Sequence, residues 1–517
     1  MKFIKKTLPV IAVLALAACE DGSQGEQGTP GLNSLISQQT LALGDAECFF
    51  GGLKVESGLD TNANNVLDAD EVSATSTNCN ANSVNTSGSS LPYSVLRADV
   101  ENGAKPGTLM EIRNGGYGSD MVAHPTQPTR FYALTDRGPN AAYTGDQGVG
   151  KKFPTPDYTP RIGLFELQAN GDVQKIEDIL LKRPDGTPIS GLPNTAALGG
   201  TGETPYDVEG NVIVENMDLP YDETSNPIKL DDYGLDGEGL VAVSDGTFWV
   251  SDEYGPHIVH YDAEGVEIGR INAFADDARN TFTLPAEFAN RRANRGMEGL
   301  AITPDEQTLV GIMQSTMYNP SSAVKVNNMV RIVTISLVDG SISQYLYQQQ
   351  KTQNSQSGIV ALSSTEFVVI ERDGNFYNED VSAMKHLYKI DISNATDIET
   401  ITATSSITQD ASLGLLIDGK TLEEVTLESE GWATLANVGI EPVSKTFLVD
   451  LVAETGYPHD KLEGIWLINE NTLGVINDDD FATWSSEGVL EQKYLDAGQT
   501  IIDANRLYII EDLDLAQ

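Results

Sequence analysis

Five short segments of the chain resemble one another, and each opens a strand-like run that closes in a turn. They are Gly118–Ala123, Gly237–Ala242, Met297–Ile302, Gln356–Ala361 and Leu462–Leu467. The equivalent positions Ser119, Glu238, Glu298, Ser357 and Glu463 are 119, 60, 59 and 106 residues apart. Two steps are one unit and two are nearly two units, so the spacing predicts six or seven units. Strand-built repeats of this size are the blades of a propeller, a fold that also shields the edges of its sheets. The chain is therefore predicted to be all-β, with a six- or seven-bladed β-propeller over residues 91–517. Alternating strand-like runs dominate that stretch, and no long amphipathic helix is apparent in it.

The repeat also predicts where polar side chains gather. The segment that starts at Glu238 turns at Asp245-Gly246, a strong tight-turn pair, and returns through Thr247 to Val250. An antiparallel return brings Asp252 and Glu253 beside Glu238. The same offset selects Asp136 and Arg137 in the first segment and Gln314 in the third. It selects Glu371, Arg372 and Asp373 in the fourth, and Asp478, Asp479 and Asp480 in the last. First strands line the axis of a propeller, so a ring of carboxylates at one mouth follows. Glu238, Glu298, Glu463, Asp252, Arg137 and Arg372 are the expected catalytic residues, and Asp136, Glu371 and Asp478 the expected metal ligands. An all-oxygen ring without His or Cys suits calcium. Arginine beside it suits an anionic phosphoester oxygen.

Several of these motifs resemble one family. Thr135-Asp-Arg-Gly-Pro-Asn140, Asp236-Gly-Glu-Gly239 and Trp249-Val-Ser-Asp-Glu-Tyr-Gly-Pro256 are similar to motifs of the phytase-like family, also called esterase-like activity of phytase. Arg295-Gly-Met-Glu-Gly-Leu300, Glu371-Arg-Asp373 and Lys461-Leu-Glu-Gly-Ile465 continue the match in order. The resemblance covers most of residues 91–515. It implies an extracytoplasmic propeller and phosphoester hydrolysis on a small phosphorylated or ester substrate. Two alternatives are a cell-surface propeller that binds without chemistry and a calcium-dependent lactonase-like hydrolase. The chain is expected to act as a monomer.

The first ninety residues read as separate pieces. Lys2, Lys5 and Lys6 precede an apolar run, and Leu16-Ala-Ala-Cys19 resembles a bacterial lipobox. Residues 1–18 are thus predicted to be a lipoprotein signal, with Cys19 lipidated and the protein anchored in the cell envelope, at the outer membrane or cell surface. Residues 19–33, with glycine at every third position from Gly22 to Gly31, read as a tether. Residues 34–82 form a small domain and 83–90 a linker. With Cys19 acylated, Cys48 and Cys79 are the remaining thiols, and an oxidising compartment pairs them. Between them, Asp60, Asn62, Asn64, Asp68 and Glu71 fall at the oxygen-donor positions of an EF-hand-type loop, with Asn65 where glycine is usual. The predicted role of that loop is calcium binding.

Charge excludes one class of partner. Thirty-two basic against 76 acidic residues give a formal charge of −44, which repels nucleic acid. Gly414–Thr421 fits the expression of a phosphate-binding loop, but its interior reads as a strand entering an Asp-Gly turn, and it is rejected.

Overall fold

A computed structural model describes Gly28 and residues 31–516. The predicted signal segment and Cys19 lie outside the described residues. The chain divides into two compact units. One holds the described residues up to Thr40 together with Leu53–Asn78, and the other holds Leu41–Gly52 and everything from Cys79 onward. The smaller unit holds most of three strands, Asn33–Leu43, Phe50–Asp60 and Val72–Cys79, which pair in chain order.

The Cys48–Cys79 disulfide is present. Both cysteines belong to the larger unit. The neighbouring aromatic residues give the reason. Phe49 packs edge-on against Trp466 at 5.7 Å, and Phe49 and Phe50 join a cluster with Phe131 and Phe165. Burying two phenylalanines there ties residues 41–52 to the larger unit.

That unit is mostly β, and its longest helix is Gly431–Asn437. Five sheets carry the architecture. The first contains Asp120–Ala123, Arg130–Leu134, Arg161–Leu167 and Val173–Leu180. The second contains Gly237–Ala242, Phe248–Asp252, Ile258–Tyr261, Glu267–Asn272 and Asn280–Thr283. The third contains Met297–Ile302, Thr308–Met313, Met329–Ser336 and Ile342–Gln348. The fourth contains Ser355–Ala361, Glu366–Arg372, Lys385–Asp391 and Ser444–Asp450. The fifth contains Gly464–Asn469, Thr472–Ile476, Arg506–Ile510 and the early strand Ser89–Ser90. Each sheet starts at one of the repeated segments and runs antiparallel through its first three strands.

The first strands touch one another in a ring. A Cβ on Gly239 would come within 2.7 Å of the Leu300 backbone nitrogen, and one on Gly299 within 3.2 Å of the Gly358 carbonyl carbon. Gly358 abuts the Glu463 carbonyl oxygen, and a Cβ on Gly464 would lie 2.6 Å from the Met121 nitrogen. Asp120 closes the circle by accepting a hydrogen bond from Leu240 N at 2.7 Å. The glycine of the repeated Glu-Gly pair is therefore required by backbone contact around the axis. Apolar clusters follow the same order. One joins the first and second sheets through Leu134, Ile162, Leu240 and Val250. Another joins the second to the fourth through Val241, Leu300 and Ile359. A third joins fourth and fifth through Ile370 and Val475, and the last returns from Trp466 to Phe131. The arrangement is propeller-like.

Five such sheets occur among the described residues, where the spacing predicted six or seven. The two long steps hold insertions rather than further blades. In the first step, Ala141–Gly145, Gly148–Lys152 and Thr204–Tyr206 form a small sheet of their own. In the second, residues 392–443 interrupt the fourth sheet with three short strands and the helices Leu422–Leu427 and Gly431–Asn437. Gly414–Thr421 lies there as a hairpin turning at Asp418-Gly419, consistent with its rejection as a nucleotide loop.

Candidate functional site

The repeated acidic position sits on a local irregularity. Pairing of the first two strands shifts register between Gly237 and Gly239, between Met297 and Gly299, and between Gln356 and Gly358. Glu238, Glu298 and Ser357 are the extra residues of these bulges, and a bulge frees its side chain from the strand's alternation. Glu463 immediately precedes the first strand of the fifth sheet.

Around them the side chains form ion pairs and hydrogen bonds. Arg372 Nη2 forms an ion pair with Glu463 and lies 3.8 Å from Glu298 Oε1. The Arg372 Nε donates to Ser357 Oγ at 2.9 Å. Gln314 Nε2 donates to Glu253 Oε1 at 2.7 Å and to Glu298 Oε2 at 2.5 Å. Arg137 joins Asp236 at 2.7 Å and Glu203 at 3.1 Å. Lys461 bridges Asp478 at 2.5 Å and Asp480 at 2.7 Å. Lys493 joins Asp480 at 2.6 Å and Asp460 at 2.9 Å.

The carboxylates outweigh these cations. Oxygens of Asp136, Asp236 and Glu238 lie within 4.8 Å of one another, as do those of Asp136, Asp478 and Asp480. Burial, then the charges of Glu298, Asp236, Glu463 and Glu253, hold Glu238 well above the usual carboxylate range. Burial, then Asp478 and Asp236, raises Asp136. Burial and Glu463 raise Glu298 to about 7. Burial raises Glu463 to about 7 against the pull of Lys461 and Arg372. Burial raises Asp478 to about 7. Asp480 differs: Lys461 and Lys493 outweigh its burial and keep it below the usual range.

Glu238 is the exception in its bonding. It is 7 % exposed and makes no hydrogen bond or ion pair among the described residues. An unpaired buried carboxylate beside two others stays ionised only if a cation is supplied. The donor set is oxygen alone, so the triad fits a hard divalent ion such as calcium. Asp480 stands in a turn that is itself unusual: Asp480, Phe481 and Ala482 all have positive φ, at 50°, 57° and 59°. Three left-handed non-glycine residues in a row are costly. Phe481, buried against Tyr158 at 5.0 Å, and the two lysines on Asp480 hold the turn.

Other expected residues fall elsewhere. Glu371 points away from the ring and is bonded by Tyr347 Oη at 2.7 Å, Asn354 at 2.8 Å and Lys445 at 2.5 Å. Neighbouring strand residues face opposite sides, so when Arg372 enters the ring Glu371 cannot. Asp252 is fully buried and accepts backbone N–H groups of Asp236, Tyr254 and Gly255 at 2.9, 3.1 and 3.2 Å. These bonds shape the loop. In the smaller unit, Glu71 accepts from Thr61 N and Asp68 N, Asp60 from Asn64 N and Asn65 N, and Asp68 from the Asn62 and Asn64 amides. Asn65 takes the left-handed conformation expected of it, φ 63°. Asp236 and Asp480 belong to the candidate metal triads but were not counted as ligands from sequence. Asp236 lies two residues before Glu238 in the same motif, which was the available signal.

Residues 112–481 match a family model described as phytase-like, esterase-like activity of phytase. Residues 33–79 match a domain of unknown function. An uncharacterized secreted protein of Arthroderma benhamiae is 26% identical over 310 residues, covering 48% of this chain and 56% of that protein. The chain thus spans little more than half the length of that curated relative. Among solved structures, the PQQ-bound aldose sugar dehydrogenase of Streptomyces coelicolor aligns over 93% of this chain and 99% of its own, at 8% identity and TM-score 0.29. The periplasmic gluconolactonase of Pseudomonas aeruginosa aligns over 92% and 99%, at 11% identity and TM-score 0.28.

Proposed function

The chain belongs to the phytase-like family, and from that premise we propose that it is an extracytoplasmic, calcium-assisted phosphoester hydrolase. Its active centre is the carboxylate and arginine ring at one mouth of a five-bladed propeller. The carrying observation is Glu238, a buried carboxylate without a partner, gathered with Asp136 and Asp236 within 4.8 Å. Asp136, Asp236 and Glu238 would hold the calcium ion, which would supply polarisation of a phosphoryl oxygen and acidification of water.

The remaining work falls to the side chains. Arg372, fixed by Glu463 and Ser357, presents a guanidinium for a phosphoryl oxygen. Glu298 and Glu463 both titrate near neutrality, so one can stand ionised while the other holds a proton. Glu463, kept ionised by Arg372, takes a proton from water as the water oxygen bonds to phosphorus. The P–O bond to the alcohol breaks, and Glu298 gives its proton to the leaving oxygen. Exchange with solvent restores both acids. The lipobox-like start and the secreted relative support an extracytoplasmic site, with a lipid anchor at Cys19.

The test is turnover of p-nitrophenyl phosphate, a phosphate diester, phytate and a simple lactone, each with calcium and then with chelator. Calcium-dependent release of phosphate that is lost in Glu298→Gln is expected. Absence of turnover of the phosphoesters by correctly folded, calcium-loaded protein would refute the assignment.

A further inference from the structure

The small sheet inserted after Leu134 brings one more cation to the mouth. Strands Ala141–Gly145 and Gly148–Lys152 form a hairpin, and Thr204–Tyr206 adds to it in parallel. Gly150 permits the close approach, because any Cβ there would strike the Thr204 backbone. Adjacent residues of the second strand face opposite ways. Lys152 lies over the Tyr143 ring at 4.5 Å. Lys151, on the other face, pairs with Pro205, so it shares its face with Glu203, the residue that holds Arg137 at 3.1 Å. Arg137, Glu203, Asp236 and Glu253 are the charges that act on it.

The other cations of the mouth are engaged. Arg137 occupies Asp236 and Glu203, Arg372 occupies Glu463, Lys461 and Lys493 share Asp480, and Arg295 donates to Ser355 Oγ at 3.2 Å. Lys151 is half-buried and makes no hydrogen bond or ion pair among the described residues. The reason is competition, since Arg137 already takes the carboxylates that Lys151 faces. Burial and the Arg137 charge pull its pKa below the usual lysine range. A chain with 76 acidic and 32 basic residues has carboxylates to spare, yet this ammonium takes none of them and is open to an anion from solution.

We infer that Lys151 is a substrate-binding residue of this site and receives an oxygen of the tetrahedral oxyanion that enters from the inserted sheet. This rests on the phosphoester reading and adds the residue that holds the anion. A single ammonium serves a phosphoryl oxygen as a point charge, where an arginine would impose a planar fork.

The experiment measures binding of inorganic phosphate to the calcium-loaded full chain by calorimetry, in the parent, Lys151→Met and Lys151→Arg. A charge-assisted bond predicts about tenfold or greater weakening in Lys151→Met and recovery of most of the affinity in Lys151→Arg. The calcium-induced rise in melting temperature is expected to be equal in all three. Unchanged phosphate affinity in Lys151→Met overturns the inference and leaves the hydrolase reading standing. Phosphate binding that depends on Lys151, in a protein that hydrolyses no phosphoester, refutes the hydrolase reading and leaves the inference intact. Loss of the calcium response in Lys151→Met also overturns it, since the residue would then be supporting the ring.

Discussion

Replacing Glu238 by Gln isolates the charge at the centre of the ring, because the two side chains have nearly the same shape. Oxygens of Glu238, Asp136 and Asp236 lie within 4.8 Å of one another. Two full charges at that separation repel by about 3 kcal/mol at an effective dielectric constant of about 20. Without a cation the folded protein relieves this by keeping a proton on Glu238, whose pKa lies well above the ordinary value. The unfolded chain releases that proton at about pH 4.3. Above that pH the folded state binds more protons than the unfolded one, so stability falls as pH rises. The slope is about 1.4 kcal/mol per pH unit until the folded group ionises. Gln has nothing to titrate. In chelator at pH 7, Glu238→Gln is therefore expected to be more stable than the parent, by up to about 4 kcal/mol, with a flatter pH dependence from pH 5 upward. With calcium at about a hundred times its dissociation constant, the parent gains about 2.7 kcal/mol and the variant little. Urea unfolding from pH 5 to 8, with chelator and with calcium, reads both effects. A variant less stable than the parent in chelator at pH 7, or one that gains as much from calcium, would show that Glu238 is not an unpaired ligand.

Two further substitutions test the framework. Arg331, fully buried, is held by Glu423 at 2.8 and 3.1 Å and by Gln344 at 2.9 Å, joining the insertion of the fourth sheet to the third. Glu423→Ala leaves that guanidinium only Gln344 and the longer contact to Glu287 at 3.4 Å, and is expected to cost about 3 kcal/mol in chemical denaturation; a cost below about 1 kcal/mol would mean the charge finds water. Gly358→Ala drives a methyl group into the Glu463 carbonyl where the fourth and fifth sheets meet. A drop in melting temperature together with weakened calcium binding is expected, and an unchanged calcium response would separate ring closure from the site.

The repeated Glu-Gly pair was legible because each half has a physical cause. The glycine admits a neighbouring backbone, and the acid lies on a bulge or, at Glu463, just before the strand. Hairpin register was legible as well: Gly237 pairs with Asp252, as the Asp-Gly turn implied. The unit count was not, because an insertion and an eroded repeat lengthen the spacing alike. Asp252 and Glu371 were misplaced for a finer reason. A register identifies which residues arrive at the rim, whereas local bonding decides which of two neighbours turns inward. Asp480 is held by a left-handed turn and Lys151 comes from an inserted hairpin, so neither carries a periodic signal.

The fifth sheet joins strands from opposite ends of the sequence. Ser89–Ser90 pairs with Arg506 and Leu507. Synthesis delivers the first of these strands more than four hundred residues before its partner. Four sheets can therefore assemble while the chain is still growing, but the circle cannot shut until the C-terminal strand has emerged. A truncation of only the last dozen residues would remove the latch and leave both edges of the gap open to pairing with other chains.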